Sequence, residues 1–426
     1  MKILIKGGRV IDPAGNKDEV ADILTDTTKI VEIAKKIDAK ADKVIDAAGK
    51  IVMPGLIDMH VHLREPGRED KETVASGTQA ALKGGVTTCL VMPNTDPAID
   101  SVENVELLKG IIERGAENNV LISGAITKGR AGKELTDFAA LKKAGIAAVS
   151  DDGSSVDDLD LMHEAFVLAK KNKLVVICHC EDKTLSAEGV VNLGFISTKL
   201  GLRGISKESE YKRIERDILL AQKTACPVHI AHVSCRESID VIAKAKKKGV
   251  VVTAETAPHY FSFDEESVCG YNTNMKMNPP LRSREDLVAL RDGLRSGIID
   301  VIASDHAPHT ENEKDIEFER AEFGVTGLQT QLSAAITNLV GTHIISWLEL
   351  ARKLSYNPAQ ILGLTNKGEL RAGYDADIII VAAEKEWAVD KQSLISKSKN
   401  NAFMGMKLKG VVECTICSGT ITYANY

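Results

Sequence analysis

The sequence predicts an α/β protein, a closed (β/α)8 barrel of the TIM type carrying a small composite β-sandwich domain assembled from both chain termini. Three observations lead there. Between residues 55 and 365, eight apolar strand-like runs alternate with helical patterns. Such alternation means a parallel sheet, and eight units are what closes one into a barrel. Shorter strand patterns with no helical periodicity flank this stretch on both sides. Ionisable residues recur at the C-terminal ends of the eight runs, the face where a barrel carries its chemistry.

In order, residues 1–54 hold short apolar runs at Ile3–Ile5, Val10-Ile11, Ile23-Leu24, Lys29–Ile33 and Val44-Ile45, broken by Gly, Asp, Asn and Lys. They read as a small β unit. The barrel runs follow at Leu56–His62, Val86–Met92, Val120–Ile126, Ile146–Ser150, Leu174–His179, Val228–His232, Val250–Glu255 and Ile299–Asp305. Helical candidates between and after them are Lys71–Lys83, Val102–Glu117, Glu134–Lys143, Asp158–Lys171, Tyr211–Lys223, Arg236–Lys247, Arg284–Arg295 and Gln329–Leu339. A doubly wound open sheet is the rival, weakened because no Gly-rich nucleotide loop follows the first run. From residue 366 the short β pattern returns, with strands at Ile378–Val381, Gly410–Ile416 and Thr420–Ala424. The expected domains are therefore 1–54 with 366–426, and 55–365.

In Leu56-Ile57-Asp58-Met59-His60-Val61-His62-Leu63-Arg64, a strand's period of two puts His60, His62 and Arg64 on one face. Two imidazoles so placed make half a metal site. Asn94 follows the second run, Asp151 and Asp152 the fourth, and His259 the seventh; His179 ends the fifth, His229 and His232 lie at the sixth, and Asp305, His306 and His309 close the eighth. Burying so many ionisable groups is costly without partners or a metal. His60, His62, Asp152, His179, His232 and Asp305 are the expected metal ligands. Six exceed what one zinc-like ion takes and suit two, bridged by a carboxylate. Asp152 is a better bridge than Asp305, which lies beside the first strand once the barrel closes; adjacent Asp151 is a close competitor of Asp152. His and carboxylate donors suit Zn, Mn, Co or Fe, and zinc leads. Two such ions can share a hydroxide and polarise a carbonyl, which is chemistry for hydrolysing a C–N bond or forming one. Asp305 fits the catalytic acid/base.

Asp58-Met59-His60-Val61-His62-Leu63-Arg64-Glu65-Pro66-Gly67 resembles the signature of the dihydroorotases, within the cyclic amidohydrolases, and Ser304-Asp305-His306-Ala307-Pro308-His309 resembles their second signature. The likeness covers nearly the whole chain and is to the longer bacterial form with an aspartate bridge. It implies reversible cyclisation of N-carbamoyl-L-aspartate to dihydroorotate, the third step of pyrimidine synthesis. It implies two Zn2+ per subunit, bridged by Asp152 and hydroxide: His60, His62 and Asp305 on one, His179 and His232 on the other. For the substrate, it implies that Arg64 holds the α-carboxylate with Asn94 and His309, and that His62 also contacts the substrate. Asn278 and the loop at Phe323-Gly324 would contact the ring. Homodimers, and association with aspartate carbamoyltransferase, are further implications. Allantoinase or dihydropyrimidinase is the nearest alternative, and a non-catalytic scaffolding subunit a more distant one.

Composition adds exclusions. The chain has 426 residues, 44% hydrophobic and 27% charged, as in ordinary globular proteins. A net charge of -6 gives no reason to expect nucleic acid. No apolar run suits a membrane span. The N-terminus reads as strand and turn rather than a secretion signal, so a cytoplasmic location is expected. Cys414 and Cys417 form a lone Cys-x-x-Cys, too isolated for a zinc or redox site. His163, His229 and His343 are expected outside the metal set.

Overall fold

A computed structural model describes residues 1–425. All eight barrel runs form strands, somewhat shorter than their apolar stretches: Leu56–Val61, Val86–Val91, Asn119–Gly124, Ala148–Ser150, Val175–Cys178, Val228–Ile230, Val252–Thr256 and Val301–Ile302. They lie side by side in chain order, all parallel. A parallel bridge between Val61 and His306, with His62 N donating to His306 O at 2.9 Å, joins the last strand to the first. The ends are short because each chain leaves the sheet to put its polar residues on the rim. Two apolar clusters, one around Leu90, Ala148 and Ile177 and one around Met59, Val301 and Ala303, both pack on Ile361 and Leu362.

Helices start where the sequence supplies caps. Thr73 and Ser76 form a capping box before Val74–Lys83, so this helix begins three residues later than its pattern. Ser283 and Asp286 do the same for Arg284–Ser296. The pattern at Gln329–Leu339 resolves into an α-helical turn, Gln331–Ala335, continued by a π-helical one, Ile336–Val340.

The flanking segments build one sheet, mostly antiparallel. Thr420–Ala424, Lys407–Cys417, Ile378–Ala388, Ile51–Pro54, Lys2–Asp12, Lys17–Asp26 and Lys29–Ala34 follow one another across it, with Lys43–Asp46 beside Lys2–Asp12. Ile23 and Ile30 from one end share a core with Cys414 and Ile416 from the other, so the sheet curls on itself. Its alternation explains the unbroken Ile378–Val381 run. Ile378 and Ile380 enter that inner core, whereas Ile379 and Val381 face the barrel core. Among the described residues no helix is long and apolar enough to cross a membrane.

Between Ile378–Ala388 and Lys407–Cys417, residues 390–404 leave the sheet and cross the barrel rim. Ser396 bonds Glu72, Ser398 Oγ donates to Lys71 O at 2.6 Å, and Asn400 accepts from His309 N at 3.1 Å.

Candidate active site

Each expected metal ligand sits at or just past a barrel strand end, and the fold brings all six together. Asp152 is the hub. Its Oδ1 lies 3.2 Å from His60 Nε2, 3.7 Å from His179 Nδ1 and 3.8 Å from His232 Nε2; its Oδ2 lies 3.5 Å from His62 Nε2. Asp305 Oδ1 is 3.5 Å from His62 Nε2 and 3.7 Å from His60 Nε2. His179 Nδ1 and His232 Nε2 face each other at 2.8 Å. Two overlapping groups, His60–Asp152–His232 and His60–His62–Asp305, have donor atoms close enough to hold a metal ion. All six side chains are buried.

The donor set fits such ions by what it lacks as well. His60 Nε2 and Asp152 Oδ1 are buried with no hydrogen bond of proper geometry. Buried polar atoms without a partner are rare and need an explanation. Here the remaining bonds of His60 and His62 turn their Nε2 atoms inward: His60 Nδ1 meets Glu255 Oε1 at 2.6 Å, and His62 Nδ1 meets Asn94 Oδ1 at 2.8 Å. An Nδ1–H donated outward leaves a lone pair on Nε2, the form a metal takes.

Asp151 is used differently. Its carboxylate accepts from Ile126 N at 2.8 Å, Thr127 N at 3.1 Å and the Thr127 hydroxyl, which ties the third barrel loop to the fourth. Arg130 donates to Asp152 O at 2.6 Å and steadies the next residue.

Electrostatics reflect this crowding. Burial pulls the His60 imidazole down, but Asp152 and Glu255 outweigh it and hold it well above its ordinary value. Burial raises Asp152 and Asp305, yet the surrounding histidines drive both below the usual carboxylate range. Glu255, opposed by burial but bonded to His60 and His229, is lowered to about 2. Burial lowers His259 to about 4, and its Nε2 has no partner. Arg64, His232 and Asp305 all have positive φ (62°, 34° and 48°). Such backbone costs about 1–3 kcal/mol per residue and concentrates at functional sites, where surrounding contacts enforce it.

A family model described as Dihydro-orotase-like matches residues 49–238. The dihydroorotase of Elusimicrobium minutum is 50% identical over 425 residues, covering 100% of this chain and 98% of its own. The chain belongs to the dihydroorotase family. The dihydroorotase of Caldanaerobacter subterraneus subsp. tengcongensis is 49% identical, covering 99% of this chain and 97% of its own. Among solved structures, the L-hydantoinase (dihydropyrimidinase) of Arthrobacter aurescens superposes with a TM-score of 0.90 at 25% identity, covering 99% of this chain and 96% of that one. A D-hydantoinase at 24% identity and TM-score 0.88, covering 100% and 95%, shares the fold.

The residues that the dihydroorotase resemblance ties to substrate lie around the same rim. Arg64 Nε donates to Pro308 O at 3.2 Å, and its Nη2 lies 3.4 Å from His309 Nε2. Burial lowers Arg64 to about 10, against the pull of Asp305 and Asp152. His309 Nε2 is 2.7 Å from Phe323 O. At Gly324 (φ 126°) a Cβ would lie 2.7 Å from Ala307 Cβ and 3.2 Å from His309 Nε2, so only glycine allows this approach. Asn94 is engaged by His62, and Asn278 Nδ2 donates to Glu181 Oε2 at 3.2 Å. Nearby, Glu311–Lys314 forms a helical turn. A cavity of about 520 Å³, lined by His309, Thr310, Lys314 and Asn400 among others, opens at this rim.

Several side chains around the site escaped the sequence reading. Glu255 ends the seventh apolar run, and that position was the available signal. It carries His60 on one oxygen and His229 Nε2 on the other at 3.1 Å, with His229 Nδ1 passed on to Thr253 Oγ1 at 2.8 Å. His229 thus belongs to the layer beneath the six. His163 and His343 are exposed. His306 lies 3.3 Å from Glu72 and accepts from Gly327 N at 3.1 Å. Glu181 stands 3.5 Å from His179 Nε2.

Proposed function

We propose that this chain is a zinc-dependent dihydroorotase that interconverts N-carbamoyl-L-aspartate and (S)-dihydroorotate in pyrimidine biosynthesis. The observation that carries this is Asp152, whose Oδ1 lies near His60, His179 and His232 and whose Oδ2 lies near His62, with Asp305 beside His60 and His62 and with Arg64 and His309 on the same rim. In this reading His60, His62 and Asp305 would hold one ion, His179 and His232 the other, with Asp152 shared between the two sites. Bound there, two divalent ions supply Lewis acidity that acidifies a water and stabilises negative charge on a carbonyl oxygen.

The side chains do the rest. Arg64 presents a planar fork suited to the substrate carboxylate, with His309 beside it and Asn94 near His62. Asn278 and the Phe323-Gly324 backbone face the ring. In the hydrolytic direction oxygen adds to the ring amide carbon and the C–N bond breaks. Asp305 takes the proton from the attacking water and delivers it to the departing nitrogen. Synthesis reverses these transfers. Exclusion of bulk water at the buried rim strengthens each charge interaction.

In this reading the units are residues 1–54 with 366–426, and 55–365, and two chains pair. Exposed Leu193 and Phe195 offer apolar surface for that pairing, or for an aspartate carbamoyltransferase. Sedimentation with and without the transcarbamoylase tests both. The function is tested by counting metal per chain and assaying dihydroorotate, dihydrouracil, hydantoin and allantoin. About two ions per chain and turnover of dihydroorotate alone are expected. Metal-loaded protein that neither opens dihydroorotate nor cyclises carbamoyl aspartate overturns the reading.

A further inference from the structure

Lys71 is buried, with 5% of its surface exposed, at the edge of the rim. Both sides of its backbone are pinned: its N–H donates to Arg68 O at 3.0 Å and its carbonyl accepts from Ser398 Oγ. The side chain therefore has a fixed origin. Its ammonium reaches His309 Nδ1 at 3.1 Å and Glu313 Oε1 at 3.0 Å.

The donor inventory then fixes the histidine. An ammonium has three N–H donors and no lone pair, so Nδ1 must supply the lone pair. The ring proton is left on Nε2, which donates to Phe323 O at 2.7 Å. Arg64 Nη2 is only a donor, and Nε2–H offers it no acceptor, so the guanidinium is not consumed by His309 despite lying 3.4 Å away. Glu313 also pairs with Arg68 at 2.7 Å, Arg68 in turn with Asp70 at 3.0 Å, and the other Glu313 oxygen stands 3.6 Å from His309 Nδ1, beyond hydrogen-bond reach.

We propose that Lys71 is a positioning residue of the carboxylate pocket: its ammonium holds His309 as the Nε2–H tautomer, which keeps the ring bonded to Phe323 O and keeps an imidazole lone pair from facing an anionic substrate. The identity of that anion rests on the dihydroorotase reading; the tautomer does not. With the proton on Nδ1 instead, Nε2 would point a lone pair at Phe323 O and at any incoming carboxylate. Both contacts would turn repulsive. Lys71 thereby links the pocket's charge to the backbone of the Phe323-Gly324 segment.

The test joins spectroscopy and kinetics. In metal-loaded protein with 15N-labelled imidazoles, and with His309→Gln to assign the signal, His309 is expected as Nε2–H. Lys71→Met should mix the tautomers and raise KM for dihydroorotate about tenfold, the weight of one polar contact to a charged group turned unfavourable, with a smaller fall in kcat. Lys71→Arg should restore both. An Nδ1–H or doubly protonated His309 in the wild type overturns the proposal. So does a Lys71→Met protein whose tautomer and KM match the wild type. If Lys71→Met does not fold, Lys71→Gln and the wild-type spectrum decide. A wild type inactive on dihydroorotate sinks the functional reading, while the tautomer measurement still tests Lys71.

Discussion

Replacing Glu255 with Gln isolates what orients the inward-facing imidazole of His60. Glu255 is 1% exposed and takes His60 Nδ1 on one oxygen and His229 Nε2 on the other. The amide keeps an acceptor for His60, but its NH2 faces His229, which must then move its proton to Nδ1 and donate to Thr253 Oγ1. Every bond remains satisfiable, so metal-free protein should lose only about 1–2 kcal/mol, the difference between charge-assisted and neutral hydrogen bonds. His60 loses more: without the carboxylate its Nε2 is less basic and less firmly aimed. Outer partners of metal-bound histidines are worth about 10–100-fold in affinity. The assay is competition of zinc between the protein and a chromophoric chelator, with urea unfolding of metal-free protein as control. Affinity within twofold of wild type, at normal stability, would refute the claim that Glu255 sets the His60 donor.

Asp152→Asn should lower the metal count by at least one ion per chain, measured by atomic emission after dialysis; full occupancy with unchanged activity contradicts the bridge. Asp305→Asn should cut kcat by about 10²–10⁴-fold with a smaller change in KM, in a steady-state assay in both directions. Asp58 is fully buried, accepts from His60 N and Ser304 N, and is raised to about 7 chiefly by burial. A carboxyl with a raised folded pKa costs nothing below its unfolded value near 3.9, and its cost is complete above about 7. Asp58→Asn should therefore stabilise metal-free protein more at pH 8 than at pH 5, by on the order of 2 kcal/mol, in urea titrations. Equal effects at both pH values would place the ionisation elsewhere.

The strand order, the eight units and the convergence of His60, His62, Asp152, His179, His232 and Asp305 follow from local pattern. Apolar periodicity names the strands, and a barrel sends every strand end to one rim. Strand and helix limits were less legible. The first barrel helix starts at Val74 because the Thr73–Ser76 capping box, rather than apolar periodicity, sets its first turn. Asp151 and Asp152 could not be separated from sequence, since adjacent carboxylates differ only in where the chain turns. The fold gives Asp151 three loop donors and turns Asp152 to the histidines. Asn94 and Asn278 carried a substrate expectation, but their present partners, His62 and Glu181, are distant in sequence.

By itself, then, the sequence determined the barrel, the return of the chain ends to a common sheet and the family, because each is written in periodicity or in contiguous motifs. Only the tertiary structure decided which atom of each imidazole faces inward. Glu255 lies 195 positions from His60, and Lys71 lies 238 positions from His309. Tautomers are fixed by such contacts, and a hydrogen bond between distant residues leaves no trace in local spacing.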